Sequence, residues 1–116
     1  MQLVEDQLQK MKQGTKTIEL RLNDEKRRNI KIGDIIQFES TTTSEKIIVE
    51  VVDRFEYPNF YELYQDFNKV ELGYDEDETS DPKDMYDIYS KDRVLEYGVL
   101  GIQIVYEENK QVDILS

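Results

Sequence analysis

The chain has 116 residues, 38% of them hydrophobic, carries a formal net charge of −11, and contains neither cysteine nor histidine. This length suits one domain with one core, and the missing residue types exclude disulfides, Cys-ligated zinc, and Ser-His-Asp or Cys-His catalysis. No apolar run approaches the roughly 18 residues that span a bilayer, so a cytoplasmic protein without a membrane partner is expected.

The charge is unevenly distributed along the chain. Residues 1–40 carry eight Lys/Arg and seven Asp/Glu, whereas residues 41–116 carry seven and nineteen. The net charges are therefore +1 and −12. This acidity argues against extended duplex DNA as a partner, because such contact depends on neutralising phosphates. It leaves room for a locally basic pocket in the first 40 residues, and for a protein partner that binds the acidic face.

The first predicted elements are a strand or lead-in over Met1–Val4, an amphipathic helix over Glu5–Gln13 and a strand from about Thr15 to Leu22. Gly14 is expected to end the helix in a left-handed conformation. The strand alternates strictly, which predicts a core face and a polar face left available. The core face consists of Ile18, Leu20 and Leu22, and the polar face of Thr17, Glu19 and Arg21.

Two hairpin strands are predicted next. Asn23 is expected to cap a single basic helical turn, which leads through Ile32 to the turn at Gly33-Asp34. Ile35–Ser40 and Lys46–Arg54 then form the hairpin. The second of these strands is apolar on both faces and is expected to be central in its sheet.

The second half combines short helices with a closing strand. Its acidic run at 75–81 is interpreted as a solvated loop, because it lacks the glycine and terminal glutamate of a calcium loop. No metal site or cofactor is predicted. The expected elements are a helix from Asn59 to about Phe67, a linking strand at Val70–Leu72, helices from Pro82 to about Tyr89 and from Ser90 to Tyr97, a strand over Val99–Tyr106, and a tail of weak strand character from Asn109. Together these elements predict a small barrel-like α+β domain.

Two motifs resemble a known family. They are Gly14-x-Lys16-Thr17-Ile18-Glu19-x-Arg21-Leu22, followed by Ile32-Gly33-Asp34-x-Ile36-x-Phe38, and Asp84-Met85-Tyr86-x-x-Tyr89-Ser90 with Tyr97-Gly98-Val99-Leu100-Gly101-Ile102. They resemble the ASCH (activating signal cointegrator homology) domains of bacterial single-domain type, over residues 1–106 with 107–116 as a tail. The resemblance implies a PUA-like mixed β-barrel whose cleft beside the Gly-Lys turn binds a nucleoside or short single-stranded RNA.

The resemblance also suggests residue roles. Lys16, Thr17, Glu19 and Arg21 would line the cleft. Some relatives are amidohydrolases acting on acetylcytidine, with a lysine, a threonine three residues later and a downstream glutamate. Lys16 matches that lysine, but Glu19 replaces the threonine, so Lys16 and Glu19 would be the catalytic pair if this chain is an enzyme. Glu62 and Glu71 are both candidates for the downstream acid. A carboxylate beside Lys16 favours the protonated lysine, which weakens the hydrolase hypothesis.

Each of the following residue sets also has a purely structural interpretation. Glu19 and Arg21 are either charges on a wet strand face or a buried pair, with Glu19 accepting from a nucleobase amino group. A secondary basic patch is either a solvated helix end or a phosphate contact; it comprises Lys26, Arg27, Arg28 and Lys31. Five tyrosines are either core residues or a base-stacking platform, namely Tyr61, Tyr64, Tyr86, Tyr89 and Tyr97.

Overall fold

The structure of the protein, a computed structural model, describes residues 1–114. It contains five strands and three α-helices: β1 (Gln2–Leu3), α1 (Glu5–Gln13), β2 (Ile18–Leu22), β3 (Ile35–Ser40), β4 (Lys46–Tyr57), α2 (Phe60–Asp66), α3 (Lys91–Tyr97) and β5 (Val99–Val105). Two 3₁₀ helices cover Pro82–Asp87 and Glu108–Ile114. None of the helices within residues 1–114 is long and apolar enough to cross a membrane.

The strands form one mixed sheet in the order β1-β3-β4-β5-β2. β1 runs parallel to β3, and every other neighbouring pair is antiparallel. The two edge strands approach each other, since the Arg21 Nη2 of β2 donates a hydrogen bond of 2.8 Å to the Gln2 carbonyl of β1. The sheet is therefore curled into a half-barrel, and the site described below lies at its seam.

Two hydrophobic clusters hold the curled sheet. One packs Leu8 and Met11 of α1 against Phe38 and Val51 of the β3–β4 hairpin. The other covers the apolar residues of β2 with α2 and the chain that follows it; its members include Ile18, Leu20, Leu22, Phe60, Leu63, Leu72 and Met85. Because β2 contributes side chains to the second cluster and polar groups to the seam, it positions the site.

The α+β class, helix α1, the hairpin and the central place of β4 are confirmed. Asn59 caps α2 as expected, its Oδ1 accepting from the Glu62 N–H at 2.9 Å. At the turn before β3 the capping residue is Asp24 instead of Asn23, since Asp24 Oδ1 accepts from the Arg27 N–H at 3.2 Å. The face of β2 predicted to be available is largely covered, with Glu19 only 4% exposed.

Three predictions about local structure were wrong. Val70–Leu72 belongs to a turn, closed by Gly73 at φ +107° and by the Gly73 N–H bonding the Val70 carbonyl at 3.1 Å. The segment before Tyr89 is a 3₁₀ helix that ends at Asp87. The tail is a 3₁₀ helix, and the amide of Gln111 bonds both the N–H and the carbonyl of Ile48, at 2.7 and 2.9 Å, in place of another strand. Part of the predicted tail, residues 115–116, lies outside the described residues.

β2 starts later than predicted, at Ile18. The N–H groups of Thr15 and Lys16 bond the Lys10 carbonyl at 3.1 and 3.2 Å, so they extend the C-terminal cap of α1 instead of pairing in the sheet. Gly14 adopts the expected left-handed conformation, with φ +83°. This tight exit from α1 places the Lys16 side chain at the start of the seam.

Gly98 carries a testable structural constraint at the junction of α3 and β5. Its φ is +72° with ψ −173°, and an added Cβ would lie 2.9 Å from the Tyr57 carbonyl oxygen. We expect Gly98→Ala to lower the free energy of unfolding by about 3 kcal/mol. Gly14→Ala is the control, since its Cβ would meet nothing within 4 Å and its cost is about 1 kcal/mol. Equal losses in urea unfolding would contradict this account.

Candidate functional site

Three charged side chains of the Gly-Lys motif form a buried network at the seam. Glu19 accepts from both neighbours, with its Oε1 3.3 Å from Lys16 Nζ and its Oε2 2.8 Å from Arg21 Nε. Lys16 Nζ also donates to the Leu72 carbonyl at 3.0 Å. The side chains of Lys16, Glu19 and Arg21 are 2%, 6% and 13% exposed. The buried-pair alternative therefore describes Glu19 and Arg21 better than the wet-face alternative.

This network contains one more positive charge than negative charge. Burial lowers the pKa of the Lys16 ammonium. The negative charge of Glu19 only partly offsets this effect, because the same carboxylate also pairs with Arg21. Burial raises the pKa of Glu19, but the charges of Lys16 and Arg21 outweigh it, so the pKa lies below its usual value. Carbonyl oxygens from Leu72 and Gln2 complete the network. A further oxygen acceptor from a ligand would suit it.

The network forms part of the floor of a cavity of about 480 Å³, a volume typical of sites for small organic ligands. Buried residues line the floor and exposed residues form the rim. The floor consists of Leu3, Lys16, Glu19, Leu20, Leu72, Gly73 and Met85, and the rim includes Gln2, Val4, Asp6, Thr41, Glu78, Asp84 and Ile88. The cavity therefore combines an apolar interior with a few fixed polar groups.

The backbone of β2 adds hydrogen-bonding groups to this cavity. Ile104 N–H donates to the Thr17 carbonyl and Asn23 N–H to the Gly98 carbonyl. The odd-numbered residues of this segment therefore direct their N–H and C=O groups toward β5. In an antiparallel ladder the alternate residues then direct their N–H and C=O away from the partner strand. Leu20 is one of these residues and lines the cavity. Its two backbone groups can pair with a planar ligand that carries one donor and one acceptor.

Tyrosines form another part of the wall. Tyr64 and Tyr74 meet edge to face, with hydroxyl oxygens 2.9 Å apart, and the Tyr74 hydroxyl donates to Asp84 Oδ2 at 2.8 Å. Burial raises the pKa of Tyr74, as do its hydrogen bonds to Tyr64 and Asp84, so the phenol stays protonated at neutral pH. Tyr89 also lines the cavity and stacks on Phe60 with ring centroids 6.0 Å apart.

Of the predicted ligand-binding residues, the structure brings Lys16, Glu19 and Arg21 together in the cavity, whereas Thr17 is not among the lining residues. Thr17 instead joins two segments, since its N–H bonds the Glu71 carbonyl at 3.0 Å. Glu62 and Glu71 are exposed and do not line the cavity. The binding and catalytic roles stay predictions.

The predicted basic patch lies outside the cavity lining. Lys26, Arg28 and Lys31 are exposed, whereas Arg27 is partly buried and paired with Asp24 at 2.7 Å. Of the five tyrosines considered as a stacking platform, Tyr64 and Tyr89 line the cavity. The other three, Tyr61, Tyr86 and Tyr97, are not lining residues.

Several lining groups were missed by reasoning from the sequence. The carbonyls of Gln2 and Leu72 depend on tertiary placement, and no sequence pattern marks them. Tyr74, Glu78 and Asp84 lie in or beside the segment interpreted as a solvated loop, yet all three line the cavity. Within the described residues, no group of three or more acidic side chains is placed to hold a metal ion.

Lys10 tethers this acidic segment to α1. Its Nζ donates to the Gly73 carbonyl at 2.8 Å and lies 3.0 Å from Asp75 Oδ1. We expect Lys10→Met to lower the amide-exchange protection of Gly73 and Tyr74 about tenfold, because it removes charge-assisted hydrogen bonds at that turn. Lys12→Met is the matched control, since Lys12 lies on the same helix but pairs with Glu45. Unchanged protection in the Lys10 variant would contradict the tether.

Comparison with known proteins agrees with this architecture. The family model of the ASCH domain matches residues 1–108. The crystal structure of hypothetical protein PH0355 is similar, with 32% sequence identity, a TM-score of 0.78, and coverage of 92% of this chain and 96% of that one. The solution NMR structure of protein PF0455 from Pyrococcus furiosus shares 31% identity at a TM-score of 0.72, covering 93% and 96% of the two chains. No curated protein gives a significant match.

The match to the family model spans nearly the whole chain, and the curled five-stranded sheet with flanking helices confirms the expected PUA-like fold. The chain belongs to the ASCH domain family.

Proposed function

We propose that this ASCH domain binds a nucleoside, or one base of a short single-stranded RNA segment, in the seam cavity. The observation that carries the proposal is the convergence of Lys16, Glu19 and Arg21 on a cavity of about 480 Å³. RNA binding is the general role of the family, and the cavity supplies the chemistry that an unpaired base needs.

Three features of the cavity suit a base. Leu20 offers a backbone donor and acceptor, which match the paired polar groups on a pyrimidine edge. Lys16 and Arg21 retain N–H groups beyond those that their protein partners occupy, and these groups can donate to a carbonyl oxygen. Tyr64 and Tyr89 provide aromatic surface, and base stacking on such rings contributes about 1–3 kcal/mol per base.

Isothermal titration calorimetry tests this proposal with cytidine, acetylcytidine and a short single-stranded RNA. We expect saturable binding of at least one of these, and we expect Tyr89→Leu to weaken it about tenfold because the aromatic surface is lost. Tyr61→Leu is the control, since Tyr61 is exposed and does not line the cavity. Absence of binding by the wild type, or equal effects of the two substitutions, would refute the proposal.

A second candidate function is hydrolysis of an acylated pyrimidine nucleoside such as acetylcytidine. Its support is the burial of Lys16, which lowers the ammonium pKa and increases the neutral fraction that a base or nucleophile requires. Glu19 is held by two cations and is therefore poorly placed to take up a proton. Acetate release from acetylcytidine, abolished in Lys16→Met, would support this activity. Its absence between about pH 6 and 9 would reject it.

A further inference from the structure

The charges around the cavity indicate which class of ligand it binds. This inference rests on the proposed function. Four carboxylates and two cations line the cavity. Both cations are already engaged, since Lys16 contacts Glu19 and the Leu72 carbonyl, and Arg21 contacts Glu19 and the Gln2 carbonyl. The other three carboxylates are on the exposed rim: Asp6, Glu78 and Asp84.

The rim carboxylates are only partly neutralised. Asp6 lies 3.2 Å from Lys10 Nζ, and Glu78 lies 4.0 Å from the same atom, so one lysine serves both. Asp84 accepts from the neutral Tyr74 hydroxyl. The basic residues Lys26, Arg28 and Lys31 do not line the cavity, and Arg27 is held by Asp24. A phosphate carried at the rim would therefore meet carboxylates instead of free cations.

We infer that the cavity takes an uncharged nucleoside or free base and discriminates against its phosphorylated forms. The ligand's carbonyl oxygen faces Lys16 and Arg21, and its amino or hydroxyl hydrogens face the carboxylates. Two unit charges about 8 Å apart in water change an equilibrium constant about two- to threefold. Three carboxylates and a phosphate dianion form six such pairs, which weaken binding about a hundredfold or more without screening and about fivefold to tenfold at about 0.15 M salt, where the screening length is about 8 Å.

Calorimetric titrations with cytidine, cytidine 5′-monophosphate and cytidine 3′-monophosphate test this inference. At about 0.01 M salt, where the screening length is about 30 Å, we expect both monophosphates to bind at least about tenfold more weakly than cytidine. At about 0.15 M salt the ratio of dissociation constants should narrow. The double substitution Glu78→Gln and Asp84→Asn should reduce the ratio about three- to fourfold at the higher salt concentration, because each amide keeps the shape and the acceptor oxygen but loses the charge.

The matched control is the double substitution Glu76→Gln and Asp77→Asn, which removes the same charge from exposed positions of the same segment outside the cavity lining. We expect it to change the ratio less than twofold at about 0.15 M salt. Monophosphate binding as tight as cytidine binding would overturn the inference and leave the proposed function standing, as would equal effects of the two double variants. Binding by none of the three compounds would overturn the inference, and the proposed function would fall with it if acetylcytidine and the short RNA also failed to bind.

Discussion

Glu19→Ala is expected to lower the free energy of unfolding by about 3–5 kcal/mol, because it leaves two buried cations without their counter-charge. Glu19 is 4% exposed and contacts both Lys16 and Arg21. Urea unfolding followed by circular dichroism measures the loss. Glu71→Ala is the control, since Glu71 is exposed and its carbonyl, which the substitution keeps, makes the contacts to β2.

A second substitution isolates the cause of that loss. Lys16→Met in the Glu19→Ala background removes one of the two unpaired cations, so part of the lost stability should return. A double variant that is less stable than Glu19→Ala alone would show that the charges are not the cause. This design separates electrostatics from the cavity that a smaller side chain leaves.

The pH dependence of stability follows from the same network. The folded-state pKa of Glu19 lies below its usual value, so its ionisation stabilises the fold above the unfolded-state pKa of about 4.3. That contribution is lost as the pH falls through the folded-state pKa. We therefore expect the unfolding free energy of the wild type to fall below about pH 4 more steeply than that of Glu19→Ala, as measured by urea unfolding at successive pH values. If the unfolding free energies of the two proteins changed in parallel with pH, this expectation would be contradicted.

Arg21→Met is expected to cost about 3 kcal/mol, because Arg21 joins the two edges of the curled sheet. Its guanidinium bonds Glu19 and the Gln2 carbonyl and lies 5.9 Å from the centre of the Phe38 ring. Arg21→Lys should recover little of this loss, since one ammonium does not reproduce the fork that contacts both oxygens. Thermal unfolding measures both variants, with Arg93→Met as an exposed control. Full recovery by lysine would show that charge alone matters.

Much of this fold follows from local sequence patterns. The apolar spacing of α1, the Gly14 cap and the β3–β4 hairpin each rest on interactions close in sequence, and these predictions are confirmed, although β4 continues to Tyr57, beyond the predicted Arg54. Two of the three wrong predictions, those for the tail and for Val70–Leu72, concern segments that are held by distant parts of the chain. Gln111 bonds Ile48, and the turn before Gly73 is fixed by its contact with β2. No local pattern encodes such long-range partners.

The site was predictable in part for the same reason. Glu19 and Arg21 lie two residues apart on one face of a strand, so their proximity follows from the strand period. Their burial does not follow from it, because it depends on how the two edges of the sheet meet, as in the contact between Arg21 and the Gln2 carbonyl. Tyr74 and Asp84 reach the cavity only because their segment folds back toward α1, where Lys10 holds it.

The most direct test of the central claim is a ¹H–¹⁵N correlation spectrum of the protein titrated with cytidine. We expect shifts that saturate and that are concentrated in the amides of Lys16, Leu20, Leu72 and Gly73, which lie around the floor of the cavity. No shifts at all, or shifts confined to the basic turn at residues 26–31, would contradict the claim that the seam cavity is the binding site.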